Sequence, residues 1–246
     1  LDLYERYERR VFAFDHFTLS EDPRENIEWL ATEAPPGAKL DMDIISHSRG
    51  GLVARLLAEQ AETAAPAARR LAVGRVAFAG TPNSGTALAD FDRFGDLVDT
   101  YTTLLSLFPD NGVTDILETV ITVAKTSAVG TTRRLVGLNS MVPGGSFLAR
   151  LNGPCGRRGS YFALASDFDP PEPTIREWVR SRLTRFVFAD QSNDLVVPTT
   201  GVYDSNGSPL FPIPDAHTFA PSEQVSHTAY FAAQDASRLL LEWMPG

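Results

Sequence analysis

Apolar and polar positions along the chain alternate between two periods. Val11-Phe12-Ala13-Phe14 is a short apolar run that suits a buried strand, and Leu40 to Ile45, Val73 to Ala79 and Tyr161 to Ala165 are further strand candidates. Between them apolar residues recur every three or four positions, as on one face of a helix. The first such stretch carries Ile27, Leu30, Ala31 and Ala34 and follows Asp22-Pro23-Arg24-Glu25. Asp22 is a natural N-cap, Pro23 suits the first turn, and Glu25 stands at the capping-box position. Pro35-Pro36-Gly37 ends it. Leu52, Val53, Leu56 and Leu57 mark a second helix, and Leu3 and Tyr7 place the tail of another within Leu1 to Arg10. Strands that alternate with helices predict an α/β fold, a mostly parallel sheet with helices on both faces.

From Phe91 to about Leu151 the strand signal disappears. Leu97, Val98, Tyr101, Leu104, Leu105 and Phe108 form one helical stripe, and Val113, Ile116, Leu117, Val120, Ile121 and Ala124 form another. They predict a helical cap inserted on the sheet, within one domain that spans the whole chain. Such stripes serve equally as ordinary core. Beyond the next strand, Thr174 to about Arg185 reads as helix, and Phe186-Val187-Phe188 fits either state. Asn206-Gly207 predicts a tight hairpin turn between Val202-Tyr203 and Leu210-Phe211. A last helix is expected from about Thr228 to Trp243.

Composition narrows the function. The net charge of −9 and the lack of clustered Lys and Arg argue against a nucleic-acid surface, which needs cations to neutralise phosphates. A single cysteine, Cys155, forms no internal disulfide and no cysteine-based zinc site. No apolar stretch is long enough for a transmembrane segment. No metal-ligating cluster is evident, and no cofactor is called for.

The strongest chemical signal is Ile44-Ile45-Ser46-His47-Ser48-Arg49-Gly50-Gly51-Leu52-Val53. A strand enters, a tight turn follows and a helix leaves. This is the context of a nucleophile elbow, with Ser46 where the first glycine of G-x-S-x-G would stand. A serine on a strained turn projects its hydroxyl above the sheet. Ser46 and Gly50, two residues to either side, are small and avoid a strand–helix clash. The backbone N–H of Arg49, at the start of a helix, is the candidate oxyanion donor. A bare G-x-S-x-G match is common by chance, but strand, turn and helix are all in place here.

Serine needs a base, and the base a carboxylate. Of His16, His47, His217 and His227 only the last two follow the serine in the order Ser, acid, His. His227 stands before an apolar helix, a rigid mount; His217 falls in a loop with Pro212, Pro214 and Pro221. For the acid, Asp194 occupies a polar turn before Leu195-Val196-Val197-Pro198. Asp167 and Asp169 follow a strand, where turn chemistry beside Pro170-Pro171 is their other role, and Asp190 is a further candidate.

Ser46-His47-Ser48-Arg49-Gly50-Gly51-Leu52-Val53-Ala54-Arg55 resembles the elbow of bacterial lipase- and esterase-like α/β-hydrolases. Ala79-Gly80-Thr81-Pro82-Asn83-Ser84-Gly85-Thr86 is similar to the segment after the next strand in that group. Asn193-Asp194-Leu195-Val196-Val197-Pro198 resembles the segment that carries the acid, and Ser226-His227 the one that carries the base. The resemblance implies an α/β-hydrolase fold and a serine esterase acting on a small-molecule ester or lipid. It favours Ser48, Asp194 and His227 as the triad. An acyltransferase or thioesterase would use the same residues, and a non-catalytic interaction module of a larger protein is the reading from another class. The family also has a strand and a loop ahead of its first helix, and the loop supplies a second oxyanion N–H. The chain opens inside that helix, so the expectation is an N-terminal extension, or another domain or chain, that brings the missing strand. An enzyme left with the Arg49 N–H alone would lose about 10²–10³ in rate.

Overall fold

A computed structural model describes residues 2–89, 94–107, 136–153, 159–205, 208 and 210–246. Helix α1, Asp2–Arg6, is followed by α2, Pro23–Glu33. The predicted capping box is present: Asp22 accepts from the Arg24 N–H at 2.9 Å, and Glu25 accepts from the Asp22 N–H at 2.9 Å. Strand β1, Leu40–His47, leads into α3, Gly50–Ala64, and then β2, Leu71–Ala79. Helices α4, Phe94–Leu107, α5, Val136–Asn139, and α6, Ser146–Leu151, precede β3, Ser160–Ser166. Helix α7, Pro173–Trp178, continues as a π-helix over Val179–Val187. Then come α8, Thr200–Tyr203, β4, Asp215–Phe219, and α9, Gln234–Trp243.

Among the described residues four strands form one parallel sheet in the order β1-β2-β3-β4. Side chains on β2 alternate between two cores, as a period of two requires. Val76 and Phe78 face a core with Tyr161, Leu183, Leu195, Val197 and Val202. Ala77 and Ala79 face the opposite one, with Leu164, Phe219, Tyr230, Leu240 and Trp243. A third cluster joins Ile27 and Ala31 of α2 to Leu52, Val53, Leu56 and Leu57 of α3. A parallel sheet sandwiched in this way, with a strand–turn–helix elbow at the end of β1, is the α/β-hydrolase fold.

Four expectations need correction. Val11-Phe12-Ala13-Phe14 is not a strand: Val11 is 49% and Phe12 89% exposed, and Phe14 stacks on Trp29 with ring centroids 5.5 Å apart. An apolar run becomes a strand only with a ladder partner, and β1 pairs with β2 alone among the described residues. His217 lies in β4, not in an irregular loop. That strand is mostly exposed, so it carries no apolar run to announce it. The expected hairpin is absent from its flanks, because Val202-Tyr203 ends α8 and the Tyr203 carbonyl accepts from the Ile213 N–H at 2.8 Å. Asn206-Gly207 itself lies outside the described residues. The last helix begins at Gln234, after a 3₁₀ turn at Tyr230–Ala232. Of the expected cap, α4, α5 and α6 are described, and Leu97 is buried in the main core. The second stripe, Val113 to Ala124, lies outside the described residues.

The π-helix resolves the ambiguity at Phe186-Val187-Phe188. Val179, Leu183 and Val187 are buried at four-residue intervals, which the wider π-helical turn keeps on one face. Its last turn closes with the Phe188 N–H donating to the Leu183 carbonyl at 3.2 Å.

Candidate active site

The chain turns at Ser48, whose φ of +53° lies in the left-handed region that non-glycine residues avoid. The turn is pinned from both sides. The Ser48 N–H donates to the Ala79 carbonyl at the end of β2, at 2.9 Å, and the Ser48 carbonyl accepts from the Gly51 N–H at 3.1 Å. Ser46, in place of the motif's first glycine, is buried and donates its hydroxyl to the Ala77 carbonyl at 3.1 Å. The steric demand after the serine falls on Gly51 and not on Gly50. A Cβ at Gly51 would stand 2.1 Å from Thr81 Oγ1, whereas one at Gly50 would meet only His16 Nε2, at 3.7 Å.

Arg49 opens α3, and its guanidinium is fully buried. It donates to the Gly137 carbonyl at 3.1 Å, to Ser140 Oγ at 3.2 Å, to Asn26 Oδ1 at 3.0 Å and to the Glu21 carbonyl. Burial lowers its pKa to about 10, with Asp22 and Glu21 opposing the shift. The side chain therefore anchors the elbow to the segments around α2 and α5, while the main-chain N–H sits at the helix start.

Asp194 is 1% and His227 3% exposed. His227 Nδ1 lies 2.8 Å from Asp194 Oδ2, and the His227 N–H donates to the Asp194 carbonyl at 3.0 Å. Asp194 Oδ2 also accepts from the Tyr230 hydroxyl at 2.8 Å, and Oδ1 accepts from the N–H groups of Val196 at 3.0 Å and Val197 at 2.7 Å. Burial pushes this carboxyl up. The His227 charge and the bonds from His227, Val197 and Tyr230 outweigh it and hold the group below the usual carboxylate range. The same burial and the Asp194 charge raise the Tyr230 phenol well above its ordinary value.

The pair meets two main-chain segments, the elbow and the end of β2. His47 packs its ring on that of His227, with centroids 4.8 Å apart, and its Nε2 lies 2.7 Å from the His227 carbonyl oxygen. Gly80, with φ +56°, passes so close that a Cβ there would stand 2.7 Å from the Tyr230 ring and 3.0 Å from both Asp194 Oδ2 and His227 Nδ1. Ser48 follows His47 directly. Among the described residues its hydroxyl makes no hydrogen bond.

The rival candidates lie apart from this cluster. His217 faces Phe219 edge-on, with centroids 4.7 Å apart. Asp169 pairs with Arg180, whose Nε lies 3.1 Å from Oδ1. The Asp167 N–H donates to the Phe219 carbonyl at 3.0 Å, and Asp190 is exposed on the turn after the π-helix. The sequence pattern gives Tyr230 and Gly80 no role in the site: helical spacing from Thr228 places Tyr230 in a helix, and its position three residues after His227 is the available signal. Among the described residues no three His, Cys, Asp or Glu side chains form a metal-binding group, and no helix is long and apolar enough to cross a membrane.

The chain belongs to a family described as a domain of unknown function (DUF7379), whose model matches residues 1–245. No curated protein matches it in sequence. Among solved structures it is similar to the Bacillus licheniformis lipase BlEst2 in its mature form, with a TM-score of 0.44, 16% identity, and coverage of 92% of this chain and 75% of the other. The propeptide form of the same lipase gives a TM-score of 0.49 at 16% identity, with coverage of 92% of this chain and 41% of that one.

Proposed function

We propose that this DUF7379 member is a serine hydrolase of carboxylic esters, with Ser48 as nucleophile, His227 as base, Asp194 as the acid behind the base, and the Arg49 N–H as oxyanion donor. The observation that carries the reading is the buried Asp194–His227 pair at 2.8 Å, set against the elbow whose serine holds a left-handed turn. Three residues far apart in sequence have no packing reason to bury a carboxylate and an imidazole beside a strained serine.

The chemistry follows from the geometry. With Nδ1–H donated to Asp194, His227 keeps Nε2 free to take the Ser48 proton as Oγ attacks the ester carbonyl carbon. The new Oγ–C bond places the negative charge on the carbonyl oxygen, where the Arg49 N–H and the α3 N-terminus stabilise it. Collapse breaks the bond to the alkoxy oxygen, and the imidazolium returns its proton to the leaving alcohol. Water, deprotonated by the same imidazole, then attacks the acyl carbon; the C–Oγ bond breaks, the imidazolium returns its proton to Ser48 Oγ, and the carboxylic acid leaves. Asp194 stays ionised throughout and steadies the imidazolium, in keeping with its lowered pKa.

The test is hydrolysis of a p-nitrophenyl ester series, from acetate to palmitate, by the wild type and Ser48→Ala. The reading predicts turnover that falls at least about 10⁴-fold in the variant, while its far-ultraviolet circular dichroism is unchanged. Equal turnover by both proteins would sink it. The chain-length profile would separate a short-chain esterase from a lipase.

A further inference from the structure

We propose that His47 is a positioning residue, a one-residue strut that ties the turn of the nucleophile to the main chain of the base. The inference rests on the roles proposed above for Ser48 and His227.

His47 Nε2 lies 2.7 Å from the His227 carbonyl oxygen. A carbonyl only accepts, so Nε2 must carry the proton and His47 donates. This fixes the tautomer, and Nδ1 is left without a proton. Burial, with His227 beside it, lowers the His47 pKa to about 4, so the ring stays neutral and does not compete for the proton that His227 handles.

With that bond, each polar group of His227 near its backbone is held. The N–H is held by the Asp194 carbonyl at 3.0 Å, the side-chain Nδ1 by Asp194 Oδ2 at 2.8 Å, and the carbonyl by His47. Asp194 therefore supplies two of the three anchors and His47 the third. The third holds the His227 main chain against the elbow. Drift of that main chain would carry the imidazole with it, including Nε2, the end that points away from Asp194. Because His47 is bonded covalently to Ser48, and the Ser48 N–H is fixed to Ala79, the strut sets the distance between the attacking oxygen and its proton acceptor.

Simple packing is the competing account. The His47 ring also lies 5.9 Å from Phe231 and 6.4 Å from Tyr230, centroid to centroid, and a phenyl ring would fill that space. The two accounts separate cleanly, since packing needs a ring and the strut needs a donor.

The experiment measures the saturation kinetics of Ser48 phosphonylation by a fluorophosphonate in wild type, His47→Phe and His47→Gln. Phenylalanine keeps the ring and removes the donor; glutamine keeps an N–H donor at similar reach. The strut predicts that His47→Phe loses about ten- to a hundredfold in maximal rate with little change in half-saturating concentration, because misplacement by about 1 Å costs that much. His47→Gln recovers a large part of the loss. Equal rates for wild type and His47→Phe, or no recovery in a folded His47→Gln, would overturn the inference. Nitrogen-15 spectra of the wild type give a second test that needs no variant to fold as designed: His47 must be the Nε2–H tautomer, and an Nδ1–H form overturns the strut alone. A wild type that does not react at Ser48 removes the reading of the site, and the positioning role with it.

Discussion

Asp194 shows how a buried charge is made tolerable. An isolated carboxylate in this position would be neutralised by protonation. Four donors hold it ionised instead: two backbone N–H groups on one oxygen, and an imidazole and a phenol on the other. The ring packed on His227 is held in the opposite state. His47, half-buried, stays neutral, and its pKa falls from an ordinary 6.5 to about 4. The unfolded chain therefore binds more protons than the folded one between these values, so stability rises with pH across that window and is lost as pH falls through it. The difference amounts to about 3 kcal/mol once both values are passed. Urea unfolding at pH 7 and at pH 4.5 checks this: the wild type should lose a good part of that stability, and His47→Gln, which has nothing to titrate there, should lose less. An equal loss in both proteins would show that the cost lies elsewhere.

At the scale of the element, the elbow depends on where strand and helix touch. Gly51 faces Thr81 with no room for a Cβ, and Gly50 has space. We expect Gly51→Ala to destabilise the fold by about 1–3 kcal/mol, the usual cost of overpacking, and Gly50→Ala to leave the melting temperature within a degree or two. Thermal unfolding of the two variants decides it; a milder effect at Gly51 than at Gly50 would contradict this account of the turn. The sequence pattern pointed to the wrong glycine because motif spacing records which residues recur and not which atoms collide. Elsewhere, legibility followed burial at β2 and β3, whose buried ends are apolar runs, while β1 showed in the alternation of Leu40, Met42 and Ile44 with polar residues, and the capping box of α2 was written in Asp22 and Glu25. β4 was not legible, since an edge strand with exposed Asp215, Ala216 and Thr218 needs no apolar run. Val11 to Phe14 failed for the converse reason: it has the composition of a strand and lacks a partner. The segment after His227 carries helical spacing, but it breaks at Tyr230–Ala232, where the Tyr230 hydroxyl reaches Asp194.

Across the whole molecule, the parallel sheet makes a site from distant segments. Ser48 follows the end of β1, Gly80 the end of β2 and His227 the segment beyond β4, so all three stand off the carboxyl ends of parallel strands, where ligands bind in open α/β sheets. Asp194 arrives from the loop beyond the π-helix, and Leu195, with φ +82°, holds a second left-handed turn beside it. The sequence orders the candidates as Ser, Asp, His, and the resemblance favours Asp194 and His227 over their rivals; the structure brings those two side chains to 2.8 Å of one another. The contacts of Tyr230, Gly80 and His47 were not legible, because each depends on the register of elements that are far apart in the chain. A buried network fixes part of that register. Arg55 and Glu59 of α3 pair at 2.8 Å, and Arg55 also reaches Asn83 and Asn152, which joins α3 to the segments after β2 and α6. The proposed function requires that this architecture make Ser48 a nucleophile. Reaction with a fluorophosphonate at pH 7.5, followed by peptide mapping by mass spectrometry, tests this. One phosphonyl adduct is expected, on Ser48, that disappears when Asp194 is changed to Asn. Labelling on another residue, or none in a folded wild type, would contradict it.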